Sequence, residues 1–220
     1  NTELQTLYCY NNNLTELDLS QNTALDELYC FYNQLTELDL SQNTELQTLY
    51  CYNNNLTELD LSQNTALQEL YCYNNNLTAL DLSQNPALTN LLCFENTYSI
   101  ALTGGTFDLS TLPGTFDVNK ASNWTNATVD GNTLTVTDLK TDVTYTYDLG
   151  NERERTETFI LQPTSCILTE SMVKEIPEQV YTGSAVTPDV VLQYGEDTLK
   201  KDVDYTVSYT NNQHTGTGNA

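Results

Sequence analysis

The sequence predicts a mainly β protein. A repeat solenoid with two parallel sheets and little or no helix comes first, and small β-sandwich domains follow. Three observations predict this. A 21-residue pattern recurs from Leu4, restarting at Leu25, Leu46, Leu67 and Leu88. Apolar and polar residues alternate inside each unit, which is the period of an extended segment. After Asn96 the period stops, and short β-branched and aromatic runs alternate with turn residues. A fixed period of this length means coils that bury their apolar faces only by stacking on one another.

Each coil carries one phrase twice. The first copy is Leu4-x-x-Leu7-x-Cys9-x-x-Asn12-x-Leu14, and the second is Leu14-x-x-Leu17-x-Leu19-x-x-Asn22. Leu7 and Cys9 are expected inside, so Tyr8 and Tyr10 face out. Leu17 and Leu19 are expected inside, so Asp18 and Ser20 face out. One strand per phrase gives two sheets, and 21 residues leave little room for a helix. Cys9, Cys30, Cys51, Cys72 and Cys93 recur at one slot, which reads as a buried row of thiols acting as small hydrophobes. In-register side chains point the same way and the row is odd-numbered, so a disulfide framework does not follow. No His or second Cys lies near enough for zinc. Asn12, Asn33, Asn54, Asn75 and Asn96 form one corner row, and Asn22, Asn43, Asn64 and Asn85 another. Their amides are suited to backbone groups stranded at tight corners.

Residues 4–96, within a solenoid domain read as 1–96, resemble the leucine-rich repeat, L-x-x-L-x-L-x-x-N-x-L, and more closely its nested 21-residue bacterial class sometimes called IRREKO. Residues 97–165 are expected to form a small β-sandwich that caps the last coil. Its strands are Ala127–Val129 and Leu134–Val136 around an Asp130-Gly131-Asn132 hairpin turn, then Val143–Tyr147 and Thr158–Leu161. Trp124 is expected in its core. This order is similar in architecture to internalin-like surface proteins, where an immunoglobulin-like domain follows the repeats. Residues 166–220 resemble a bacterial immunoglobulin-like stalk module. The resemblance rests on Val180–Gly183, Val186–Val191 and Asp204–Asn212, with further strands expected after Gly216. That module reads as incomplete, and the whole chain as a piece of a longer protein.

The chain has 220 residues and a formal charge of -23. Residues 1–119 hold no Lys, Arg or His; Lys120 is the first cation and His214 the single histidine. Nucleic-acid binding is excluded, because phosphate contacts need a basic face. An anionic membrane surface is disfavoured for the same reason. No apolar run approaches the roughly 18–20 residues of a membrane span.

Two outward ladders follow from the register, with rungs about 4.8 Å apart. The aromatic ladder is the candidate ligand-binding surface. It joins Tyr8, Tyr29, Tyr50 and Tyr71 to Tyr10, Phe31, Tyr52, Tyr73 and Phe94, with Tyr32 at its flank. Exposed aromatic patches mark interaction sites, and Tyr gives contact area at small entropic cost. The competing reading is that the rings only stack neighbouring coils together. The acidic ladder is Asp18, Asp39, Asp60 and Asp81. Carboxylates about 5 Å apart have a glycosidase's spacing, but their near-identical surroundings do not separate an acid from a base. Oxygen ligands for calcium are present without the cage that holds it. No catalytic residue, metal site or cofactor is expected.

The sequence therefore points to a non-catalytic module that binds a host or microbial surface protein, or a neutral glycan. Its expected place is the outside or surface of a bacterium. A purely structural spacer is the alternative. A polysaccharide-degrading enzyme on a β-solenoid is remote, because a uronate substrate wants Arg or Lys, which the solenoid lacks.

Overall fold

A computed structural model describes residues 1–150, 155–179, 184–195 and 197–209. The repeats form five coils. Each contributes one three-residue strand: β1 Thr6–Tyr8, β2 Glu27–Tyr29, β3 Thr48–Tyr50, β4 Glu69–Tyr71 and β5 Asn90–Leu92. They pair in sequence order as one parallel sheet, with Leu7 opposite Leu28 and Leu28 opposite Leu49. The inward residues make a continuous core. Leu25, Leu28, Leu35, Leu46, Leu49 and Leu56 are fully buried, each contributing about 1.5–3 kcal/mol by leaving water. Cys30, Cys51, Cys72 and Cys93 form a buried free-thiol column, with Cys9 half-buried at its end.

The second parallel sheet does not form. The Leu14–Leu19 side of each coil carries no strand. It gives one recurring backbone bond per step: Gln34 N–H to Leu14 O, Asn55 N–H to Leu35 O and Asn76 N–H to Leu56 O, each at 2.8 Å. The cause is local. Asp18, Asp39, Asp60 and Asp81 each accept the N–H two residues on, at 2.9 Å. That turn withdraws a donor a second ladder would need.

The two Asn rows close the corners differently. The Asn54 amide donates to Cys51 O of its own coil at 3.0 Å and to Cys30 O of the preceding coil at 3.1 Å. Its Oδ1 accepts the Leu35 N–H at 3.0 Å. In the other row, Asn64 donates to Leu40 O and Asn43 O at 3.1 and 2.8 Å. The Oδ1 atoms of Asn43, Asn64 and Asn85 are buried without a hydrogen-bond partner.

The chain leaves the last coil through Asn96, which ends the corner row and begins β6 (Asn96–Thr103). The rest of this part comprises β7 Thr106–Asp108, β8 Ala121–Thr125, β9 Ala127–Asp130, β10 Thr133–Val136, β11 Val143–Asp148 and β12 Thr156–Ile167. The expected hairpin is β9–β10, and Gly131 takes the left-handed φ of 56° that its turn requires. In place of a two-sheet sandwich there is one mixed ladder, in the order β8-β11-β12-β6-β7-β10-β9. Its edge strands β8 and β9 are joined in the chain by Asn126 alone, so the sheet must curl until its ends meet. Tyr145, Tyr147 and Phe159 fill its core, and Trp124 stacks on Tyr145 at 4.5 Å. β12 runs to Ile167, past the boundary expected at 165, and so takes Cys166 into the sheet.

This sheet sits against the last coils. The Tyr145 hydroxyl donates to Thr78 O. Leu82 N–H donates to Leu149 O at 2.7 Å, and Lys120 pairs with Asp81 at 3.2 Å. Beyond Ile167 the described pairing is sparse: β13 Gln193–Tyr194 with β14 Asp197–Thr198, and two isolated bridges. Val186–Val191 and Asp204–Ser208 carry no strand among the described residues; they hold isolated contacts such as Lys174 N–H to Val191 O and a bridge of Tyr205 to Lys201. Val180–Gly183, Thr210–Asn212, His214 and Gly216 lie outside the described residues. Tyr194 anchors this segment. Its hydroxyl donates to Gly105 O and Val136 O, and its ring covers the place a Cβ on residue 105 would occupy.

Two outcomes test this account. Asn54→Ala should cost about 2–4 kcal/mol in urea unfolding and Asn64→Ala only about 1–2, since the first strands the Leu35 N–H and takes one of two donors from each cysteine carbonyl, while the second also removes an orphaned oxygen. Equal costs would contradict it. Gly105→Ala, at φ +84° and against the Tyr194 ring, should release the segment after Ile167. Hydrogen exchange there should rise while the coil amides keep their protection.

Candidate ligand-binding face

The outward residues of β1–β5 and the position two residues after each strand's middle Leu-Tyr pair build the face. Parallel in-register pairing repeats every side chain at the spacing of the strands. Tyr8, Tyr29, Tyr50 and Tyr71 therefore form one column, and Leu92 ends it. Tyr10, Phe31, Tyr52, Tyr73 and Phe94 form the other. All nine residues read from the sequence come together here.

The second column is a regular stack. Its four successive ring pairs lie 4.5, 4.5, 4.5 and 4.7 Å apart, within 9° of parallel. The first column is broken. Tyr8 stacks on Tyr29 at 4.7 Å and Tyr50 on Tyr71 at 4.3 Å, but Tyr29 meets Tyr50 edge-on at 80°. Rings inside the columns are half-buried against one another. The ends are open: Tyr8 is 63% exposed and Phe94 43%.

Three features of this face go beyond the two columns. Glu27 and Glu69 point out beside the first column. Tyr29 donates to Glu27 at 3.3 Å, and Tyr50 to Glu69 at 2.8 Å. Asn90 donates to the other Glu69 oxygen at 3.0 Å. A second feature is Tyr32, which stands 52% exposed and edge-on to Phe31 and Tyr52. It occupies a corner with φ 54°, where Asn11, Asn53 and Asn74 stand in other coils. A left-handed backbone suits Asn and costs other L-residues about 1–2 kcal/mol, so Tyr32 is held at a local penalty. The third feature closes one end: Arg155 Nη2 donates to Thr89 O at 3.0 Å, beside a cleft of about 310 Å³ lined by Tyr71, Asn90 and Leu92.

Ionisation is suppressed at four inner rings and at thiols in the core behind them. Burial among neighbouring rings, with the Glu69 carboxylate next in weight, pushes the Tyr50 phenol up. Burial also raises Tyr29, Tyr52 and Tyr73. Burial lifts the Cys30 thiol well above its ordinary range and raises Cys51.

The acidic row lies on the other side of the coils, lining an open groove with Glu16, Glu37 and Glu58. Hydrogen bonds from Ser20 and Ser41 hold Asp18 and Asp39 below the ordinary carboxylate range. At Asp81 burial works upward, but Ser83 and Lys120 outweigh it and the net shift is down. These carboxylates therefore serve the turns described above. Among the described residues, no group of three or more His, Cys, Asp or Glu side chains is placed to hold a metal ion.

Residues 10–26, 52–68 and 73–90 match a family model described as Leucine Rich repeat. No curated protein matches the chain. Among solved structures, it is similar to the functional domain of InlJ from Listeria monocytogenes, a structure described as including a cysteine ladder. The two are 21% identical with a TM-score of 0.34, over 74% of this chain and 62% of that one. This chain thus spans less than two thirds of that structure's length.

The raised phenols and thiols predict an alkaline limit. A group whose folded pKa is raised gives stability that is complete below its unfolded pKa and lost as pH rises above it. Unfolded thiols titrate near about 8.5 and phenols near about 10. The melting temperature should therefore hold to about pH 8 and fall steadily from about pH 8.5 to 11. A melting temperature that rises over that interval would contradict the buried, protonated columns.

Proposed function

We propose that this chain is a non-catalytic binding module of a bacterial surface or secreted protein, with the aromatic face as its recognition surface. The observation that carries this reading is the pair of ring columns, one across all five coils and one across the first four, open to solvent at their ends. Nine aromatic residues on one side of a rigid scaffold exceed what single exposed apolar residues explain. Tyr32 supports the same reading, since a ring kept at a left-handed corner adds exposed aromatic area at a cost in backbone energy. The composition agrees: no Lys, Arg or His occurs in residues 1–119, which suits a soluble scaffold facing the outside. No helix among the described residues is long and apolar enough to cross a membrane. The ligand would be a host or microbial surface protein, or a neutral glycan. The curled sheet would close the last coil and carry the face.

The half-burial of the inner rings favours a second reading, in which the columns only hold the coils of a spacer together. One experiment separates the two. The protein and a Tyr29→Ser/Tyr50→Ser/Tyr71→Ser variant are matched for folding by circular dichroism. Both are then tested against host and microbial surface proteins and neutral glycans. Recognition predicts a hit that weakens by at least about 100-fold in the folded variant, as for loss of several central interface aromatics. A spacer predicts no hit, or one the variant keeps. Unfolding of Tyr50→Ser alone would place the rings' role in stability.

A further inference from the structure

How the rings are used decides which occupant the face fits. A sugar ring stacks on an aromatic face. In the second column those faces are already covered, ring on ring at 4.5 to 4.7 Å. Along that column, between its ends, the stacking leaves the ring rims and phenol oxygens to face outward. Rims carry the positive edge of the ring quadrupole and give apolar contact without a free π-face.

Charge supplies the second half. Glu27 and Glu69 stand among these rims, two coils apart, about 10 Å at the strand spacing. Each is held by neutral donors: Glu27 by the Tyr29 hydroxyl, and Glu69 by Tyr50 and Asn90. Such donors orient a carboxylate but leave its charge in place. No Lys, Arg or His in residues 1–119 can neutralise either one from within the repeats. The face thus offers two preoriented anions over an apolar floor.

We infer that this face docks a protein segment bearing Lys or Arg side chains. Their cationic heads meet Glu27 and Glu69, and their aliphatic stems lie across the ring rims. Tyr32 widens the floor in the same coil as Glu27, which makes the second coil the centre of the contact. This inference rests on the reading of the face as a recognition surface. It replaces a glycan with a cationic protein segment as the occupant.

The test uses the full chain and three probes in titration calorimetry: an (Arg-Ser-Ala)-repeat peptide, the same peptide with citrulline for arginine, and a neutral oligosaccharide. Two charge-matched variants separate the site from the overall field, Glu27→Gln/Glu69→Gln on the aromatic face and Glu16→Gln/Glu37→Gln on the opposite groove. The arginine peptide should bind and the citrulline peptide should not. The first variant should weaken binding about tenfold and the second less than about twofold. Equal weakening by both variants would assign the attraction to the net charge of the protein and overturn the inference. Equal binding of the citrulline peptide would overturn it as well. Binding of the oligosaccharide alone would overturn the cationic occupant while leaving the recognition face standing. If no probe binds, the cationic occupant is wrong, and a ligand lost in the Tyr→Ser variant would still uphold the face itself.

Discussion

A buried amide at one corner of each coil holds the repeat together. Asn33, Asn54, Asn75 and Asn96 each bond to a cysteine carbonyl in their own coil and to the matching one in the coil before. Their oxygens take the leucine N–H that the turn would otherwise strand. No other side chain can both donate twice and accept in that space without a charge. Because the bonds cross between coils, they set how one coil lies on the next. A coil that slipped by one residue would lose these bonds to buried backbone groups and turn its leucines outward.

Everything on the surface inherits that register. Rings repeat at the strand spacing, so they stack; aspartates repeat too, and each is occupied by its own turn. The two ladders look equivalent as sequence, yet they are chemically unlike. The carboxylates of the acidic ladder have backbone partners and a structural task. The rings of the aromatic ladder stack on one another, and Tyr29 and Tyr50 bond to two outward glutamates, Glu27 and Glu69. Departures from the repeat also matter more on that side. Tyr32 and Glu95 take the left-handed corner that Asn fills elsewhere, and Tyr32 spends backbone energy to add aromatic surface.

The far end of the solenoid shows how an open stack is closed. The last Asn of the corner row is also the first residue of the next sheet, so the two parts share a strand end. Tyr145, Leu149 and Lys120 then tie the curled sheet to the opposite side of the coils. Contact on both sides of the last coils limits their motion relative to the sheet, and the aromatic face is carried on a stiff base.

The period alone was enough to read the coils, the buried leucine and cysteine columns, the corner amides and the nine rings of the face. Each of these follows from stacking identical units, and a repeat displays its own register. The β9–β10 hairpin was equally plain, because Asp130-Gly131-Asn132 permits little else. The sequence did not disclose the missing second sheet, since alternation predicts strands without knowing that an aspartate will take the N–H they need. Nor did it disclose that the strands after Asn96 share one ladder, because pairing between segments far apart in the chain leaves no local pattern. The ring faces covered in the columns, the turned pair Tyr29–Tyr50, and the hold of Tyr50 on Glu69 were decided by the tertiary structure alone. They depend on distances between coils, and a linear order of residues does not contain those distances.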